Sequence, residues 1–99
     1  MLNESELKEI ITKAAQSQIG EDGLAGVECE PVIGMDGREV LRVVLVLTKL
    51  GDGRMHGRRA LDMLVTVRRS LEEGNEERFP VVEYKIGGED EDDGDEDAD

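Results

Sequence analysis

The chain has little of what most catalytic and stacking chemistry needs. Its 99 residues contain no tryptophan, one phenylalanine and one tyrosine. Aromatic platforms for stacking single-stranded bases are therefore excluded as its main binding device. The one cysteine, Cys29, rules out an internal disulfide and a cysteine metal cluster. It shares a strand face with Val27 and reads as a small buried hydrophobe. The one histidine, His56, has no second histidine nearby and no serine or cysteine at a motif spacing, so it reads as a surface side chain. There is no Walker loop, no Rossmann fingerprint and no nucleophile elbow. No enzymatic activity, cofactor or metal site is expected. The longest apolar run, residues 43–47, is too short to span a bilayer. Residues 1–9 lack the basic-then-apolar pattern of a signal peptide. The expectation is a cytoplasmic protein with no membrane partner.

What is present is acid, and it is unevenly placed. The net charge is -13, and the nine acids of residues 89–99 account for most of it, leaving -4 on the rest. A stretch so rich in charge and so poor in apolar side chains cannot bury enough to offset its ordering entropy. Residues 88–99 are therefore expected to be a disordered acidic tail. Residues 1–87 are expected to form a single domain. Residues 51–69 run against the trend. Arg54, Arg58, Arg59, Arg68 and Arg69 outweigh Asp52 and Asp62 there, for a local charge of +3.

The elements are marked by their punctuation. Asn3 as N-cap, Glu6 three residues on, and the Leu2–Leu7 staple predict a helix start. Leu7, Ile10, Ile11 and Ala14 supply its apolar stripe, and Gly20 its stop. Two strands follow as a hairpin, with Asp36-Gly37 predicting a type I′ turn. Pro31 makes the first strand an edge. The second, from Val40 to Leu47, is apolar almost throughout and reads as central. A second helix carries Ala60, Met63, Leu64, Val67 and Leu71 inward, with Leu61 and Val65 widening that face and Asp62, Thr66 and Arg69 opposite. A last strand follows over residues 78–86, and Pro80 again suggests an edge position. The predicted fold is α+β, a two-layer α-β-β-α-β domain with a three-stranded mixed sheet and both helices on one face. The other sheet face would then expose apolar side chains of the central strand. Such a patch calls for a partner protein or a second copy.

This order, and the stretch "KLGDGRMHGRRALDML" between the second and third strands, resembles the type II KH fold. The small bacterial KH RNA-binding proteins and ribosome-binding factor A are similar in element order. In that family a GxxG loop joins two short helices and lets backbone approach phosphates. Here Gly57-Arg58-Arg59-Ala60 falls in its place, with alanine at the fourth position. The BolA family shares the layout, but its signature histidine has no counterpart in residues 80–86. The KH resemblance implies contact with RNA or a ribonucleoprotein through Arg54, Gly57, Arg58 and Arg59.

Two readings of the basic stretch stand open. Glycine permits close backbone approach, a helix N-terminus offers free N–H groups, and arginines neutralise phosphate. Against this, Arg58 can pair with Asp62 along the helix, and Arg68 and Arg69 with Glu72 or Glu73. Arginines at a helix N-terminus oppose its dipole. That conflict points to a role outside their own helix. The competing function is an acidic protein-interaction module, such as an adaptor, chaperone or inhibitor of a basic partner, working through the open sheet face.

Overall fold

A computed structural model describes residues 2–87; the acidic tail lies outside them. The fold is α+β. Its elements are α1 (Glu4–Ile19), β1 (Leu24–Ile33), β2 (Glu39–Leu47), α2 (Lys49–Arg54), α3 (Arg59–Glu73) and β3 (Pro80–Ile86). A short 3-10 turn, Glu21–Gly23, joins α1 to β1. The sheet order is β1-β2-β3 among the described residues, with β1 antiparallel and β3 parallel to the central β2. No helix there is long and apolar enough to cross a membrane.

α1 starts as its sequence dictates. The Asn3 side chain accepts from the Glu6 N–H at 2.8 Å, and the Glu6 carboxylate accepts from the Asn3 N–H at 3.0 Å. Both first-turn donors are thereby satisfied. Gly20 ends the helix at φ 83, a conformation that other residues rarely adopt.

The hairpin turn differs from the type I′ expectation. The Gly34 N–H donates to the Arg38 carbonyl at 2.7 Å, leaving Met35, Asp36 and Gly37 as the loop. Gly37 has φ 84, while Asp36 is not at positive φ. A type I′ turn needs both central residues there; a longer loop ending on one left-handed glycine does not. The Asp36 carboxylate instead accepts the Arg38 N–H at 3.0 Å.

The core lies between the helices and one face of the sheet. Leu7, Ile11, Ala15 and Ile19 of α1 and Met63, Val67 and Leu71 of α3 close over Leu41, Val43, Leu45 and Leu47. Cys29 is buried among them, and burial pushes its thiol pKa up. α3 buries a narrower stripe than its pattern predicts. Leu61 is 59% exposed and Val65 43%, and Ala60 is exposed as well. The helix has a sheet beneath it and one helix beside it, so no third layer covers its outer side. Thr66, expected on that outer side, faces α1, where its hydroxyl accepts from Gln18 at 3.2 Å.

The opposite sheet face is not the apolar patch that the sequence suggests. Arg42 bridges Glu30 and Glu83, each at 3.1 Å, and Lys85 pairs with Glu28 at 3.5 Å. Long charged side chains cover apolar surface with their stems. Beneath them Val44 is only 5% exposed.

Candidate functional site

The connection from β2 to α3 gathers the residues that the sequence singles out. It begins at Thr48, whose side-chain oxygen caps α2 by accepting the Gly51 N–H at 3.1 Å. The same hydroxyl donates to the Asp22 carbonyl at 2.8 Å. α2 therefore sits down on the 3-10 turn. Contact is close enough that a Cβ on Gly51 would lie 1.9 Å from the Gly23 carbonyl oxygen.

Two of the arginines reach back from here to the end of α1, Arg54 half-buried and Arg59 exposed. Arg54 donates to the Ile19 carbonyl and to the Asp22 carboxylate at 2.8 Å. Arg59 donates to the Gln18 carbonyl at 2.9 Å. Both carbonyls belong to the end of α1, which has no basic residue in its own last turn. A helix ends with unpaired carbonyls and a partial negative charge. Arg54 and Arg59 supply the missing cations from another part of the chain. For Arg59 the conflict with the dipole of α3 is thereby accounted for: its side chain serves α1. The Arg54 guanidinium also holds the Asp22 carboxyl below its ordinary pKa.

Arg54→Met keeps the aliphatic stem and removes the donors. The expected loss is about 1 kcal/mol, from helix-end carbonyls left without a partner. The exposed Asp22 pair adds little. Urea denaturation of the two proteins measures the difference.

The remaining two residues face solvent. Gly57 has φ 57, and nothing lies within 4 Å of where its Cβ would be. Arg58 is the N-cap of α3 but makes no side-chain capping bond. It is exposed; its carbonyl accepts the Asp62 N–H at 2.9 Å, but among the described residues its guanidinium has no hydrogen bond or ion pair, none to the Asp62 carboxylate included. Arg69 likewise has no such partner, whereas Arg68 pairs with Glu72 at 3.3 Å and stacks over Phe79 at 5.1 Å. At the start of α3 the Arg59 N–H reaches the His56 carbonyl at 3.0 Å. The next N–H groups, of Ala60 and Leu61, lie in the first turn, where a helix offers no internal acceptor. His56 is exposed beside them.

One cluster is not foreseen in the sequence. Glu76 is 2% exposed. Its carboxylate accepts from the Arg78 Nε at 2.8 Å, from the Arg78 backbone N–H at 2.9 Å and from the Leu2 N–H at 3.2 Å. The Arg78 side chain and then its backbone bond, with the Leu2 N–H, hold the Glu76 pKa down to about 2 against burial. The knot ties the start of α1 to the approach of β3. An acid and an arginine two apart before a proline give no periodic signal by which to find it. Comparison of the chain with family models, curated proteins and solved structures finds no match.

Proposed function

We propose that the chain binds RNA or a ribonucleoprotein weakly and with little sequence preference, through the open backbone at Gly57, the free N–H groups at the start of α3 and the Arg58 side chain. The observation that carries this reading is the exposed left-handed Gly57 beside an unpartnered arginine at an uncapped helix start. A phosphate can meet the Ala60 and Leu61 N–H groups and the Arg58 guanidinium together. The missing Cβ of Gly57 leaves room for a sugar-phosphate backbone. The presence of α2 gives the order α-β-β-α-α-β, which is that of the type II KH fold that the chain resembles. Arg54 and Arg59 help by holding the two helices rather than by touching the ligand.

Binding of a fluorescein-labelled, mixed-sequence single-stranded RNA, followed by anisotropy, tests the reading. Arg58→Glu is expected to weaken binding about tenfold at low salt and to reduce the salt slope by about 1. Circular dichroism keeps a folding defect out of the comparison. No binding by the unaltered chain at low salt, or an unchanged affinity in the variant, overturns it. Copurification of one protein that survives nuclease treatment would then favour the acidic adaptor.

A further inference from the structure

The two edges of the sheet are built differently. β1 carries Pro31 in its interior, a register break between Leu24 and Gly26, and the acids Glu28 and Glu30 together on its open face. Each of these discourages pairing with another strand. β3 has a proline only as its first residue. Phe79, Val81, Tyr84 and Ile86 are exposed along it. A shallow apolar groove of about 280 Å³, lined by Ala60, Leu64, Phe79, Val82 and Tyr84, separates it from α3.

The backbone of β3 dictates what can add to it. The Leu41 N–H donates to the Phe79 carbonyl at 2.9 Å, and the Gly87 N–H to the Leu47 carbonyl at 3.0 Å. Alternate residues of a paired strand face their partner. The odd-numbered residues of β3 therefore bond β2, and the N–H and C=O groups of Val82, Tyr84 and Ile86 point to the free side. A second β3 arriving antiparallel must set even residues opposite even ones. The charges then choose among the registers. A two-fold axis through Glu83 opposes that glutamate to itself, and an axis through Lys85 opposes two lysines. An axis through Tyr84 sets Glu83 opposite Lys85 of the second copy, twice by symmetry. Both pairs occupy the positions without direct backbone bonds, where side chains come closest.

We propose that the chain forms a two-fold dimer by antiparallel pairing of its β3 edges centred on Tyr84, with reciprocal Glu83–Lys85 contacts across the joint. The ladder that already runs from Glu30 through Arg42 to Glu83 then continues into the lysine of the second copy. Both helical layers fall on the same side of the joined sheet. The backbone pairing of β3 uses neither the loop of residues 55–58 nor the N–H groups at the start of α3, so this proposal and RNA binding stand or fall separately.

Light scattering on the full chain is expected to give twice the 10.9 kDa of one chain. Glu83→Lys and Lys85→Glu each place like charges across the joint. Each is expected to weaken dimerisation about tenfold, the effect of one lost cross-strand charge pair counted twice. Mixing the two variants restores opposite charges at both positions and is expected to restore a dimer, now of mixed composition. Circular dichroism identifies any variant that fails to fold. In that case Tyr84→Pro, which removes a free-side N–H without touching a bond to β2, is used instead and is expected to give a monomer. A monomer at millimolar concentration overturns the proposal. So does a dimer that neither charge variant weakens, since the joint then lies elsewhere, for instance on the open sheet face.

Discussion

Replacing Glu76 by alanine is expected to lower the stability of the fold by about 3–5 kcal/mol, the cost of stripping one member from a buried ion pair. Arg78 has a side chain only 12% exposed, and it would be left with Glu39 at 3.8 Å and the Leu2 carbonyl at 3.5 Å. The Leu2 N–H loses its acceptor in the same change. Glu76→Gln keeps the shape and some of the hydrogen bonds, so its loss should be smaller but of the same kind. Guanidinium denaturation of the three proteins at neutral pH gives the comparison.

The same carboxylate sets an acid limit. Its pKa lies at about 2 in the folded chain, against an ordinary 4.5. Below 4.5 the unfolded chain takes up a proton that the folded chain refuses, so acid favours unfolding. The contribution, about 3 kcal/mol, is complete above pH 4.5 and is lost as the pH falls toward 2. Glu76→Gln should therefore lose less stability than the unaltered chain across that window. Equal acid sensitivity of the two proteins would place the effect at other carboxylates.

Gly51→Ala is expected to cost about 1–3 kcal/mol, in the range of overpacked sites. The added carbon would meet not only the Gly23 oxygen but also its carbonyl carbon at 2.7 Å and its Cα at 2.8 Å. Those are backbone atoms, which cannot rotate away. α2 must lift from the 3-10 turn, loosening the Thr48 and Arg54 contacts that it carries. Hydrogen exchange in α2 should rise in step with the fall in denaturation midpoint. Gly53→Ala, two residues along and facing open space, supplies the contrast. It should be neutral or stabilising by up to about 1 kcal/mol, since alanine is the better helix former. Equal losses at both positions would mean that helix geometry, not the contact with Gly23, is at fault.

Much of the architecture is legible before any coordinates. Asn3, Glu6 and Gly20 bound α1, and the apolar run of β2 marks the central strand. The prolines at 31 and 80 mark the two edges. α2 is not legible, because "KLGDGR" contains two glycines and no apolar period. What holds it is tertiary: the Thr48 cap, the approach of Gly51 to Gly23 and the reach of Arg54 to α1. The turn at Asp36-Gly37 is misjudged because one dipeptide serves two turn geometries. The width of the α3 stripe depends on how many neighbours the helix has, and periodicity does not contain that number. The candidate site divides for a similar reason. Arg54, Arg58 and Arg59 are alike in sequence, and only the position of the end of α1 separates two structural cations from one free one.

The bond from Leu2 to Glu76 also bears on the order in which the fold is assembled. α1 is synthesised before the other described elements, yet Leu2, just ahead of it, is anchored by an acceptor 74 positions later. Until that distant stretch has emerged and found its place, the first turn of α1 has only its own capping box to hold it. Contacts of such sequence separation are slow to form. Refolding should accordingly show the α1–hairpin contacts early and protection of the Leu2 amide last. The final event is then the closing of a ring that joins the approach to α1 to the entrance of β3.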